Sequence, residues 1–143
     1  MLPAALVEPV TRLVINSVSC TAAFSQHAAI AALEGPWAPV EQMVASLRRR
    51  RDVVVDGLNA IPGISCLEPT GAFYAFPRVA DLGLPADALA DRLLADGGVA
   101  CLPGTAFGVH GEGYLRLSYA NSVEHLHEAL TRVERVAGQA PGA

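Results

Sequence analysis

Arg116 is the residue of this chain best placed to do chemistry. It lies within Tyr114-Leu115-Arg116-Leu117-Ser118. The period of two of a strand puts Leu115 and Leu117 on one face and Arg116 on the other, between Tyr114 and Ser118. A guanidinium never deprotonates in a protein and carries five N–H donors. Among apolar neighbours it needs a carboxylate or several acceptors, because removing the partner of a buried charge costs roughly 3–5 kcal/mol. Spacing alone leaves open whether that partner is internal or a ligand.

Other reactive types offer less. Lys and Arg together number ten, and all ten are arginines. A chain without lysine has no Schiff-base amine of that kind to contribute. His27, His110, His125 and His127 have no carboxylate or cysteine at ligand spacing, and His125 and His127, two apart on a helix, point different ways. No metal site is expected. Cys20, Cys66 and Cys101 are odd in number and widely spaced, which reads as reduced, partly buried thiols and not a disulfide frame. Gly108-x-x-Gly111-x-Gly113 leads into a strand and not into a helix N-terminus, so it is not a phosphate loop. The run Arg48-Arg49-Arg50-Arg51 is followed by Asp52 and Asp56 in a chain of net charge −4. It reads as a solvated helix face with i,i+4 pairs such as Arg48–Asp52, not as a nucleic-acid patch.

The elements that must position these residues follow from periodicity and punctuation. Leu2–Ile15 reads as a helix interrupted by Pro9, with a stripe of Leu6, Val10, Leu13 and Val14. Asn16–Thr21 is polar and can cap a second, alanine-rich helix over Ala22–Leu33, closed by Gly35-Pro36. From Pro39 to Asn59 a long helix aligns Val40, Met43, Val44, Leu47, Val54 and Leu58. Pro62-Gly63 ends it. Ile64–Leu67 and Ala72–Phe76 then read as a strand hairpin about Pro69-Thr70-Gly71. A helix over 86–96, a strand over Val99–Leu102, the glycine-rich connection, the strand bearing Arg116 and a last helix capped by Ser122 complete the order.

That order predicts an α/β fold of the α+β kind: a small, mostly antiparallel sheet of about four strands covered by helices and preceded by connecting helices. The chain length fits one domain. An apolar fraction of 52% with only 17% charged residues exceeds the globular balance and suggests a face meant for a partner. No apolar run reaches the roughly 18 residues of a membrane span, and no basic region precedes the first apolar stretch. A cytoplasmic protein without membrane or nucleic-acid partners is the expectation.

Three segments in register give a resemblance to a known family: RRRRDVVVDGLNAIPGISCLEPTGAFYAFPRV over 48–79, GVACLPGTAFG over 98–108, and GEGYLRLSYANSVEHLHEAL over 111–130. Together they resemble the C-terminal, small-domain part of a class I/II aminotransferase, a pyridoxal-phosphate enzyme of fold type I. The resemblance implies connecting helices of the large domain or dimer interface over 1–36, the small domain over 37–138 and a frayed tail over 139–143. It implies that Arg116 binds the substrate α-carboxylate through a two-pronged ion pair, and that Asn16, Ser17 and Ser19 lie near the cofactor or the dimer partner, although helix capping explains those three as well. The implied activity is amino transfer between an amino acid and a 2-oxo acid on pyridoxal 5'-phosphate, with β-lyase or related chemistry left open. The family's cofactor lysine, the aspartate facing its pyridine nitrogen and most phosphate ligands belong to the large domain, N-terminal to the segment seen here. This chain is therefore expected to contribute no catalytic residue and to be inactive alone. Its implied partner is that large domain or a homodimer mate. Either Met1 opens a truncated or misassigned frame, or the other half is a separate polypeptide. A non-catalytic remnant or interaction module is the alternative.

Overall fold

A computed structural model describes residues 2–142. These divide into two units, Met1–Pro39 and Val40–Ala143. The first holds two helices, α1 (Ala4–Ser17) and α2 (Ala23–Glu34). The helix expected to be interrupted at Pro9 runs through it, at the cost of the one bond that an N–H at position 9 would have made to the Ala5 carbonyl. The side chains of Asn16 and Ser17 donate to the carbonyls of Arg12 and Leu13 and so close the last turn of α1. Neither helix has a buried residue. Leu6, Leu13, Ile15, Phe24 and Leu33 all lie exposed.

The second unit carries the core. Most of α3 (Ala38–Asn59) belongs to it, and that helix leads into a three-stranded antiparallel sheet of order β1-β3-β2. The strands are β1 (Tyr74–Ala75), β2 (Leu102–Pro103) and β3 (Leu115–Ser118). Tyr74 pairs with Ser118 and Ala75 with Leu117 on one side of β3, and Leu102 pairs with Arg116 and Pro103 with Leu115 on the other. Two helices, α4 (Ala86–Ala95) and α5 (Val123–Ala137), complete the fold. Ser122 caps α5 as expected, its Oγ accepting from the His125 N–H at 3.2 Å. At the other end Arg132 and Arg135 donate to the Gly97 and Asp96 carbonyls, binding α5 to the exit of α4.

The small, mostly antiparallel sheet under helices is as expected; its strands are fewer and shorter. Ile64–Leu67 is not a strand but a single bridge, in which Ser65 and Arg78 exchange backbone hydrogen bonds of 3.0 and 2.7 Å. Beyond it the side chain of Asn59 stands in for a neighbouring strand. The Cys66 N–H donates to Asn59 Oδ1 at 2.8 Å, and Asn59 Nδ2 donates to the Cys66 carbonyl at 3.0 Å. Both backbone groups are thus satisfied without a ladder. Ala72, at φ 58°, turns the chain before β1 in a conformation that non-glycine residues seldom adopt.

The core gathers Val54 and Leu58 of α3, Leu89 and Leu93 of α4, Leu115 of β3, and Leu126, Val133 and Val136 of α5. Gly57 lets α3 approach α5, since a Cβ there would meet the side chain of Leu130. The stripe of α3 divides. Val54 and Leu58 are buried and Leu47 packs against the core, whereas Val40, Met43 and Val44 remain exposed. The expected Arg48–Asp52 pair gives way to a different one: Arg51 reaches Asp52 and Glu68, each at 2.7 Å. After α5 the chain does not fray within the described residues, because Ala140 is buried and the Gly142 N–H donates to the Leu82 carbonyl.

Leu58 is 1% exposed, so Leu58→Ala should lose about 2–5 kcal/mol of stability in chemical denaturation, the cost of the lost transfer energy and of the cavity left behind. The apolar surface of α1 and α2 should make the chain self-associate or bind a hydrophobic dye; a monomer at high concentration with no dye fluorescence is the contrary result.

Candidate carboxylate-binding site

β3 is short, but it is paired on both edges, so its pleat is fixed. Leu115 points into the core at 2% exposure and Leu117 packs against it, leaving Arg116 on the opposite face. The register continues through the Arg78↔Tyr114 bridge, which places Phe76 across from Arg116. Rings gather on this face. Phe76 stacks on Tyr114, with centroids 5.4 Å apart and planes at 20°, and meets Phe107 edge-on at 6.3 Å.

The guanidinium of Arg116 lies in this cluster. Its Cζ is 4.4 Å from the centroid of the Tyr74 ring and 4.2 Å from that of Phe107, well within the reach of cation–π attraction. The ion pairs and side-chain hydrogen bonds among the described residues involve other arginines: Arg12, Arg51, Arg78, Arg92, Arg132 and Arg135. Arg116 has neither. Its N–H donors are therefore available to an incoming acceptor, and a planar fork suits a carboxylate, which it can grip at two points.

Phe107 owes its place to the loop that carries it. Pro103 starts a 3-10 turn over Gly104–Phe107, and a second follows at Val109–Gly111. The two ends cross at Gly104 and Gly111, where a Cβ on either glycine would collide with the carbonyl of the other. Only glycine fits there. Four amides brace the loop from within: Gly104 N–H donates to the Tyr114 carbonyl, Gly108 N–H to that of Thr105, Gly111 N–H to that of Gly108 and Tyr114 N–H to that of Gly111. Two further contacts pin it to α4, Glu112 Oε1 accepting from the Ala86 N–H at 3.0 Å and Thr105 Oγ1 donating to Asp87 at 3.1 Å.

These details bear on pyridoxal phosphate. No side-chain amine of lysine is present to link it, the amides of Gly104, Gly108 and Gly111 are already bonded within the loop, and no buried side-chain polar atom among the described residues lacks a partner. The described residues by themselves do not fit that cofactor. Asn16 and Ser17 bond back to carbonyls within α1, and the expected capping of α2 by this segment is not made, since its N-cap is Ala22 with no side-chain hydrogen bond; His125 faces Asn121 through Nδ1 at 3.2 Å. Among the described residues no cluster of His, Cys, Asp or Glu could hold a metal. Neither Cys66 nor Cys101 is a ready nucleophile, because burial pushes both thiols up, that of Cys101 to about 11; the thiolate is the reactive form. The sequence pointed to Arg116 but not to its ring partners, since Tyr74 and Phe107 are far from it in the chain and only pairing across the sheet brings them together.

Because the crossing has no room for a methyl group, Gly111→Ala should cost about 1–3 kcal/mol and displace Phe107, visible as a lowered melting temperature and as altered aromatic proton shifts in NMR.

Comparison with known proteins identifies the family. The family model described as aminotransferase class I and II matches residues 3–133. An aspartate aminotransferase of Pyrococcus horikoshii is 42% identical over 135 residues, 93% of this chain and 34% of that protein. An aromatic-amino-acid aminotransferase of Thermococcus litoralis is 40% identical over 136 residues, 94% of this chain and 35% of that protein. The crystal structure of an aromatic aminotransferase from Pyrococcus horikoshii superposes with a TM-score of 0.88 at 40% identity, over 96% of this chain and 37% of that one. The chain thus spans about a third of the length of these relatives. With a match over nearly its whole length and a fold shared with solved members, the chain belongs to the class I and II aminotransferase family.

Proposed function

We propose that this chain is the small-domain part of a pyridoxal-phosphate-dependent aminotransferase that moves an amino group between an amino acid and a 2-oxo acid, and that its own contribution is to bind the substrate carboxylate at Arg116. The observation that carries the proposal is a guanidinium held against two rings with no ion pair or hydrogen bond among the described residues. The fork orients the substrate by its carboxylate. Cofactor linkage and proton transfer fall to residues outside this chain, which has no lysine. On this reading residues 1–36 are connecting helices, residues 37–138 the small domain, and the exposed apolar surface of α1 and α2 is covered by a large domain or by the second subunit of a homodimer.

A second reading is favoured by one fact, the absence of lysine: a family fold retained as a non-catalytic remnant or interaction module. Complementation separates the two. The chain is mixed with a matching large domain supplied in trans, and amino-transfer rates are measured with and without it, alongside borohydride reduction and peptide mapping of cofactor adducts. Turnover is expected only in the mixture. Arg116→Lys keeps the charge and loses the fork, so it should lower kcat/KM roughly 10- to 100-fold while leaving cofactor binding nearly unchanged. Unchanged kcat/KM in Arg116→Lys would remove the role given to Arg116, and a specific cofactor adduct with turnover by the chain alone would overturn the argument from the missing lysine.

A further inference from the structure

The loop from Gly104 to Gly111 is more heavily fixed than a surface connection needs to be. Its ends are locked by a glycine crossing, the amides of Gly104, Gly108 and Gly111 bond to carbonyls of the loop and of Tyr114, and Glu112 and Thr105 tether it to α4. At its apex it presents Phe107, 49% exposed, against a charged group. Such rigidity spent on an exposed ring calls for a role for the ring. A guanidinium has two π faces and an N–H edge, and a neighbouring ring occupies a face without consuming a donor. The second ring in contact, Tyr74, comes from β1 and is held by its pairing with Ser118. Rings from two independent, rigid elements therefore meet one side chain that would otherwise swing about several rotatable bonds.

We infer that Phe107 and Tyr74 are positioning residues that clamp the Arg116 guanidinium by its faces, leaving its N–H edge to receive a carboxylate in one plane. The inference rests on the reading of Arg116 as a carboxylate ligand, and it adds a specific cause for the fork's orientation. Pre-ordering a long side chain removes the entropy that binding would otherwise have to supply. Neither ring bears on the core, so losing one should loosen the arginine without unfolding the domain.

The test uses the whole 143-residue chain labelled with nitrogen-15. Its arginine Nε–Hε signals are recorded by NMR, and that of Arg116 is identified by its disappearance in Arg116→Lys. Clamped against ring faces, the Arg116 Hε should be shifted upfield of the other arginines. Phe107→Leu and Tyr74→Leu should each move it back toward them, while Phe107→Tyr and Tyr74→Phe, which keep a ring, should preserve the shift. Backbone amide spectra of all four variants verify that the fold persists, and the two ring-retaining variants carry the test if a leucine variant fails to fold. Titration with sodium acetate should perturb the Arg116 signal saturably, with affinity weakened about two- to fivefold in Phe107→Leu and unchanged in Phe107→Tyr. An Arg116 signal within the envelope of the others, or one unmoved by both leucine variants, overturns the clamp. Acetate binding as tightly to Phe107→Leu as to the parent chain overturns the positioning role while sparing the carboxylate reading. A clear clamp signature with acetate acting elsewhere than Arg116 does the reverse.

Discussion

The alternation of side chains along β3 is the constraint on which the rest of this structure depends. Because the strand is paired on both edges, its pleat cannot rotate. Leu115 and Leu117 must therefore enter the core if Arg116 is to leave it. A slip of one residue would bury the guanidinium without a partner and expose both leucines, a change unfavourable on both counts. The core and the site are thus two faces of one short strand, and the packing that stabilises the first also orients the second.

What surrounds β3 can be ranked by how much it contributes. The apolar contacts of α3, α4 and α5 against the sheet carry the stability of the second unit, since that is where side chains leave water. The surface ion pairs contribute little. Arg78 and Asp81 form a close two-pronged pair, and the guanidinium holds the Asp81 carboxyl below its usual range. Both groups remain solvated, however, so the pair is worth a small fraction of the core. Linkage gives its sign: a lowered carboxylate pKa adds stability above the ordinary carboxylate range, and that increment disappears as the pH falls through the folded value.

Satisfaction of backbone groups explains the small size of the sheet. Asn59 takes both hydrogen bonds that a strand would have offered Cys66, and the loop after β2 closes upon itself through glycines that tolerate backbone crossing. The sheet extends only as far as is needed to hold Ala75, Leu115 and Leu117 inward and the ring cluster outward. In the first unit the balance is different. Its helices satisfy their backbone internally and leave their apolar side chains in water, a state that a larger assembly would relieve.

Helix positions, the cap at Ser122, the inward leucines of β3 and the outward Arg116 were all legible in the sequence, because each follows from local propensity or from a period of two or 3.6 within a few residues. The family resemblance was legible for a related reason: its motifs are contiguous and keep their spacing. The strand expected at Ile64–Leu67 failed because a β run declares its propensity but not its partner, and a side chain from α3 took the hydrogen bonds. The Arg48–Asp52 pair failed similarly, since the third participant, Glu68, lies outside the helix that the pairing rule describes. Only the tertiary structure brought Tyr74 and Phe107 to Arg116, because cross-strand register and the glycine crossing are long-range constraints that composition and periodicity do not encode. The sequence by itself determined that an arginine would stand on the outer face of a strand. Which groups would hold it there was decided by packing between segments about forty residues and about ten residues away along the chain.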